Sequence, residues 1–226
     1  MKTYAIIPSG GSGSRTSHET PKQYIKFGGK ELIVFTLEVF QNCEEIDEII
    51  IAAQPGYFPL LKDIKSKYSL SKISKLVEGG LERQHSVQNA LKSIDARNDD
   101  LIAVHDAARP LLPQNVLVEA INSAKIFDSV VVAINAKDTL LSGLNNVEKY
   151  IDRTNVFYAQ TPQIFKYSII SDAMTKAEEN DFLGTDESML VKNASYNVKI
   201  VGGSSINFKI TTDEDIRLFE ALIKSD

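Results

Sequence analysis

The chain has 226 residues, 43% of them apolar and 24% charged, a globular composition suited to one large α/β domain or two small ones. Its formal net charge of −5 excludes general nucleic-acid binding, which needs a basic footprint, so any anionic ligand must be held by locally gathered Lys and Arg. One cysteine, Cys43, excludes an internal disulfide, and the short apolar run in "MKTYAIIPSGG" is neither signal peptide nor membrane span, so a soluble cytoplasmic protein is expected.

In chain order, short β-branched runs occur at Tyr4–Pro8, Glu48–Ala53, Lys75–Val77, Leu101–His105 and Ser129–Ala133. Continuous apolarity over such lengths predicts strands buried on both faces, as in a parallel sheet. Amphipathic stretches lie between them: Leu32, Phe35, Val39 and Phe40 share one helical face, as do Val87, Ala90, Leu91 and Ile94, and then Val116, Ala120, Ala124 and Phe127. Strand–helix–strand repetition implies an α/β, doubly wound, mostly parallel Rossmann-like sheet with its ligand crevice beyond the carboxyl ends of the strands. The alternation breaks at Lys137. From 137 to about 164, turn residues at Ser142–Gly143 and Asn145–Asn146 separate two strand-like pieces, which predicts a projecting β-hairpin arm. Helices are expected at Tyr167–Ala177 and Asp186–Val191 and strands near Val198–Val201 and Asn207–Ile210. A last helix follows, with Thr212 as N-cap and Asp215 closing a capping box. One domain over 1–226, carrying the arm, accounts for this order.

The first strand runs into "PSGGSGSRTSHETPK", residues 8–22. A glycine-rich turn between a first strand and a first helix brings backbone N–H groups close to a phosphate chain, and Gly10, Gly11 and Gly13 permit that approach. The dinucleotide fingerprint lacks its third glycine here, and Gly29-Lys30 is followed by Glu31 rather than the Ser or Thr of a Walker motif. What remains is either an exposed loop with chance cations or a phosphate loop carrying Arg15 and Lys22, able to offset charge on a phosphorus centre.

In "VHDAARP", residues 104–110, Asp106 emerges from a buried strand and needs a strong partner, either Mg²⁺ with substrate phosphates as co-ligands or the backbone of a following helix as N-cap. Arg109 either pairs with an acidic neighbour or frames the site, and His105 reads as a packed, hydrogen-bonded strand residue. "EGGLERQHSV", residues 78–87, again puts glycines between strand and helix, with the Ser86 hydroxyl nearby; His85 and His18 read as surface or structural. Arg153 and Lys209 are isolated cations, Lys209 within an apolar-alternating stretch.

"PSGGSGSR…PKQY", "EGGLERQHSV", "VHDAARP", "TPQIF", "TDES" and "NFKITTDEDI" occur in this order across nearly the whole chain. Together they resemble the 2-C-methyl-D-erythritol 4-phosphate cytidylyltransferase family of the non-mevalonate isoprenoid pathway; the related ribitol-5-phosphate cytidylyltransferases share most of these motifs. The resemblance implies that Pro8, Ser9, Gly10, Gly11, Gly13, Gly80, Ser86, Asp106, Ala107 and Arg109 form the CTP site. Arg15 and Lys22 would stabilise the pentavalent transition state, with Mg²⁺ at the phosphates on the Asp106 side. It further implies that Thr139, Arg153, Thr185 and Lys209 hold the alcohol phosphate, and that a homodimer with interlocked arms brings Arg153 to its neighbour's site. Ser9-Gly10, Thr16 and Leu81 depart from the family pattern, and Leu81 removes an expected polar contact near the base. A phosphate monoester is mostly dianionic near neutral pH, so its attack on CTP needs positioning and positive charge rather than a general base. A nicotinamide-dependent oxidoreductase is the rival from another class, disfavoured by the missing glycine.

Overall fold

The computed structural model describes residues 1–11 and 20–224. The chain opens with β1 (Thr3–Pro8) and a short ribbon, β2 (Lys26–Phe27) and β3 (Lys30–Glu31), followed by α1 (Leu32–Gln41), β4 (Glu48–Ala53) and α2 (Phe58–Lys67). Next come β5 (Ile73–Glu78), α3 (Arg83–Ser93), β6 (Leu101–Val104), α4 (Gln114–Phe127) and β7 (Ser129–Asn135). A second ribbon, β8 (Leu140–Ser142) and β9 (Lys149–Ile151), precedes β10 (Phe157–Lys166), α5 (Tyr167–Glu179), α6 (Glu187–Asn193), β11 (Lys199–Gly202) and α7 (Asp213–Ile223).

Seven strands form one sheet in the order β11-β7-β10-β6-β1-β4-β5. Pairing is parallel throughout except at β10, which runs antiparallel to both β6 and β7. The period-2 alternation of side chains divides the core. Ala5, Ile7, Ile49, Ile51, Leu101 and Ala103 pack with α1, α2 and α4 on one face. Tyr4, Ile6, Ile50, Ile102 and Val104 pack with α3, α5 and α6 on the other. Strands covered on both sides leave no polar face, which is why their sequences read as unbroken apolar runs. A smaller cluster seats Ile216 and Phe219 of α7 against Phe27 and Leu32. Thr212 caps α7 as expected: its hydroxyl accepts from Asp215 N at 3.3 Å, and Asp215 Oδ2 accepts from Thr212 N at 2.8 Å.

Two expectations change. The arm is shorter than 137–164: the ribbon pairs Leu140 with Ile151 and Ser142 with Lys149, and from Phe157 the chain is already β10 in the central sheet. Asn207–Ile210 is no strand. Asn207 Nδ2 donates to Thr161 O at 2.8 Å and Ile210 N to Ala108 O at 2.9 Å, so the segment is stitched across the strand ends instead of joining a ladder.

Candidate active site

A cleft of about 560 Å³ opens beyond the carboxyl ends of β1, β4, β5 and β6, where a doubly wound sheet binds its ligand. Its floor begins with Pro8, Ser9, Gly10 and Gly11. Ser9 N extends the ladder to Ala52 O at 2.7 Å. Behind it, Gln23 Nε2 donates to Ser9 O at 2.8 Å and to Gly11 O at 3.1 Å, and Tyr24 and Ser9 share a hydroxyl–hydroxyl bond of 2.9 Å. The "PKQY" stretch therefore braces the start of the glycine loop from below and leaves Lys22 on the cleft wall. Burial pushes the Tyr24 phenol up to about 12, so it stays a neutral part of this brace.

The second wall is the turn from β5 into α3. A Cβ on Gly10 would come within 3.6 Å of Ser86 Oγ, so the two loops nearly touch. At Gly80 a Cβ would fall 2.2 Å from His85 Cβ, which no side chain permits. Gly80 N donates to Ser86 Oγ at 3.0 Å, and that hydroxyl donates to Glu82 O at 3.1 Å. His85 is structural: its Nδ1 accepts from Glu82 N at 3.3 Å, half of a capping box for α3.

The third wall comes from β6. His105 is fully buried; its Nε2 donates to Arg109 O at 3.1 Å, and its Nδ1 accepts from Thr161 Oγ1 at 3.0 Å. Thr161 Oγ1 accepts in turn from Asp106 N at 3.1 Å. Burial lowers the His105 imidazole to about 4, and only the neutral ring satisfies this donor–acceptor order.

Asp106 is neither a helix N-cap nor a free metal ligand. Its Oδ1 takes Arg83 Nε at 2.9 Å, while Oδ2 faces Lys209 Nζ at 3.0 Å and Arg109 Nε at 3.4 Å. Burial opposes its charge, but Arg83, Lys209 and Arg109 outweigh it and hold the carboxyl far below the usual carboxylate range. A Mg²⁺ held by Asp106 does not fit this carboxylate, which is already shared among three cations. Among the described residues, no group of three or more His, Cys, Asp and Glu side chains could hold a metal ion.

Arg83 also donates from Nη1 to both oxygens of buried Glu187, at 2.7 and 2.6 Å. Burial works against its charge too, but Glu187 and Asp106 raise the guanidinium above its ordinary value. Three cations thus share two carboxylates, and the described lining of the cleft carries Lys22, Arg83 and Lys209 against Glu82 and Asp106. The cleft of this net-negative protein is locally positive.

Of the expected site residues, Pro8, Ser9, Gly10, Gly11, Lys22, Gly80, Ser86, Asp106, Ala107 and Lys209 line this one cleft. Gly13, Arg15, Thr16 and His18 lie outside the described residues. Arg109 does not line the cleft; it turns beneath it, with Nη1 donating to Asn207 O at 2.8 Å. Thr139 and Arg153 are exposed on the connection into the arm and its far end, where Arg153 Nη1 bonds Lys137 O. Thr185 is exposed just before α6, with its hydroxyl 3.6 Å from Met189 Sδ. Sequence reasoning missed Arg83, Gln23 and Gln54 as wall residues. Arg83 did carry a signal: a cation at the first position of a helix opposes the helix dipole and calls for anionic partners.

A doubly wound sheet with a glycine-walled, locally positive cleft past its strand ends is the frame of a nucleotide-binding α/β protein of the nucleotidyltransferase class. The family model of IspD, 2-C-methyl-D-erythritol 4-phosphate cytidylyltransferase, matches residues 3–225. The chain belongs to that family. Relatives of that name from Syntrophus aciditrophicus and Geotalea uraniireducens are 37% and 38% identical, over all of this chain and 97% and 98% of theirs. The 4-diphosphocytidyl-2C-methyl-D-erythritol synthase structure from Anaerococcus prevotii superposes with a TM-score of 0.86 at 30% identity, covering 99% of this chain and 98% of that one. The Francisella tularensis 2-C-methyl-D-erythritol 4-phosphate cytidylyltransferase superposes at 0.83 with 30% identity, covering 98% and 99%.

Proposed function

We propose that the protein transfers the cytidylyl group of CTP to 2-C-methyl-D-erythritol 4-phosphate, releasing pyrophosphate. The observation that carries this reading is the cleft itself: Lys22, Lys209 and Arg83 converge on a pocket whose glycine walls admit a nucleotide. A phosphate oxygen of the acceptor attacks the α-phosphorus; a new P–O–P bond forms as the bond to the β-phosphate's bridging oxygen breaks. No proton moves, because the acceptor phosphate is already largely dianionic. The protein's task is to hold two anions in line and to place positive charge where it accumulates. Lys22 and Arg15 take the triphosphate and transition-state side. The Gly10–Gly11 loop takes the phosphate chain, the Gly79–Ser86 turn takes the nucleoside, and Lys209, Thr185, Thr139 and Arg153 take the acceptor. Mg²⁺ brought in with CTP would supply further positive charge at the phosphates, and Asp106, already shared among three cations, is not proposed to hold it.

The arm supports a homodimer as part of this proposal. Leu141, Leu144, Val147 and Tyr150 are 52–91% exposed on that ribbon, too much apolar surface on so small an element to leave bare. A neighbour covering it would bring Arg153 to a second cleft. Among the described residues, no helix is long and apolar enough to cross a membrane. A cytoplasmic setting also suits the lone Cys43 thiol, which is buried.

Pyrophosphate release from each nucleoside triphosphate, paired with methylerythritol 4-phosphate or ribitol 5-phosphate, tests the reading. Release with CTP and methylerythritol 4-phosphate is expected. Faster turnover of ribitol 5-phosphate would transfer the assignment to the sister activity, and calorimetric binding of NAD(P) would reopen the oxidoreductase reading.

A further inference from the structure

Helix α3 begins where the nucleotide wall ends, and its first two side chains both reach across to the segment that carries Thr185. Gln84 bonds that segment at both ends of its amide: Nε2 donates to Phe182 O at 3.2 Å, and Oε1 accepts from Gly184 N at 2.9 Å. Arg83 bonds both oxygens of Glu187 while its Nε holds Asp106. From β10, Gln163 completes the grip, donating to Asp186 Oδ2 at 2.9 Å and accepting from Ser188 N at 2.8 Å. Thr185 is therefore exposed but stands between clamped neighbours. The Gln84 bonds and the Arg83–Glu187 pair span 98 to 104 residues of sequence, and the Gln163 bonds span 23 and 25. None of them is needed to close a strand ladder or to cap α3, which already has its capping box.

We propose that Arg83, Gln84 and Glu187 are positioning residues: a strut that ties the nucleotide loop to the acceptor-phosphate segment and fixes their separation. The proposal rests on the transferase reading above. In-line transfer tolerates little error in that separation, since a displacement near 1 Å costs on the order of a hundredfold in rate. The strut also makes the two half-sites mechanically continuous. A nucleotide that orders the Gly79–Gly80 turn steadies α3 at its start, and through Gln84 it steadies Gly184 and Thr185.

The test uses Gln84→Ala, which removes neutral bonds only, together with Glu187→Gln, which removes the charge but keeps an acceptor. In steady-state assays both variants are expected to raise KM for methylerythritol 4-phosphate by about tenfold and lower kcat, with KM for CTP changed less than about twofold. Amide exchange of the full-length protein gives a second readout, independent of turnover. CTP should slow exchange at Gly184 and Thr185 in the wild type and lose that effect in Gln84→Ala. Unchanged acceptor kinetics, equal losses for both substrates, or a CTP effect on Gly184 that survives Gln84→Ala would each overturn the strut. If the wild-type protein releases no pyrophosphate from this substrate pair, the transferase reading falls instead, and the exchange measurement still decides the strut.

Discussion

Lys209 Nζ stands 3.0 Å from Asp106 Oδ2, so the cation expected to meet the acceptor phosphate is anchored to the floor of the nucleotide cleft. The same carboxylate orients Arg83 and Arg109, so three cations crowd around Asp106, with Glu187 as a second partner for Arg83 alone. Asp106→Asn leaves them facing one another. Loss of a partner from a buried ion cluster costs about 3–5 kcal/mol, and the lower end applies because the Lys209 side chain, 35% exposed, can swing towards water. Urea denaturation of the variant measures this; a loss below about 1 kcal/mol, as for a surface pair, would show that the cations do not depend on Asp106.

His105 sets a pH dependence of stability. Burial holds its imidazole at about 4, against an ordinary value of 6.5. A depressed pKa means that the unfolded chain takes up the proton first. The stability it contributes is therefore whole above pH 6.5, drains as pH falls, and is gone below about 4. The gap corresponds to roughly 3 kcal/mol. Protonation would also turn Nδ1 into a donor facing Thr161 Oγ1, so that hydroxyl would have to turn its own proton away and accept from both Nδ1 and Asp106 N. Burial raises the Glu187 carboxyl, which slopes the opposite way, so the clean measurement is a difference: stability against pH for wild type minus His105→Gln. That difference should fall between pH 6.5 and 4.5, and a flat one would mean that the ring is charged or solvated.

The strands were legible because sheets covered on both faces demand unbroken apolar runs, as in Ile49–Ala53. β10 was not, and its side chains explain why. Gln160, Thr161 and Gln163 are buried yet polar: they bond Ser204 O, His105 Nδ1 and Asp186 Oδ2. A strand spent on scaffolding a site looks like a surface ribbon, so the sequence pattern carries the arm past Phe157 into β10. Asn207–Ile210 shows the converse, an alternating stretch with no neighbouring strand edge to pair with. The glycine loops declared themselves because close backbone approach admits few other residues. The Arg83–Glu187 pair joins positions 104 apart, and nothing local in either motif names the other as its partner.

Gly80→Ala should damage the nucleotide wall more than any other small substitution there. The added methyl would meet His85 Cβ at 2.2 Å and His85 C at 2.9 Å, backbone that α3 holds in place. The turn has to open, and the Gly80 N to Ser86 Oγ bond goes with it. Calorimetry should show CTP affinity reduced at least tenfold, about 1.4 kcal/mol, while the thermal midpoint moves by only a few degrees. Undiminished CTP binding would place the nucleoside elsewhere.

Lys22 separates transition-state charge from simple binding. It lies on the cleft wall in the same short turn as Gln23 and Tyr24, whose own side chains make the bonds that fix the loop, so Lys22→Ala leaves those bonds in place. Removing a donor aimed at developing charge costs about 3–4 kcal/mol, or some hundreds-fold in kcat, with a smaller effect on KM for CTP. Arg15→Ala is expected to behave alike. Near-normal turnover of either variant would exclude it from the transition state.

Arg153 and Lys22 allow the arm to be tested as a bridge between subunits. Arg153 lies on exposed chain beside the ribbon, and Lys22 lines the cleft of its own protomer. If each cleft takes Arg153 from the neighbour, a dimer of one Arg153→Ala and one Lys22→Ala subunit contains one site with both residues wild-type and one site with neither. Each variant alone has no complete site. Random exchange of equal amounts makes half the dimers mixed, so activity should recover to about a quarter of wild type from two nearly inactive parents. If instead Arg153 serves its own cleft, every site in the mixture lacks one residue or the other, and mixing restores nothing.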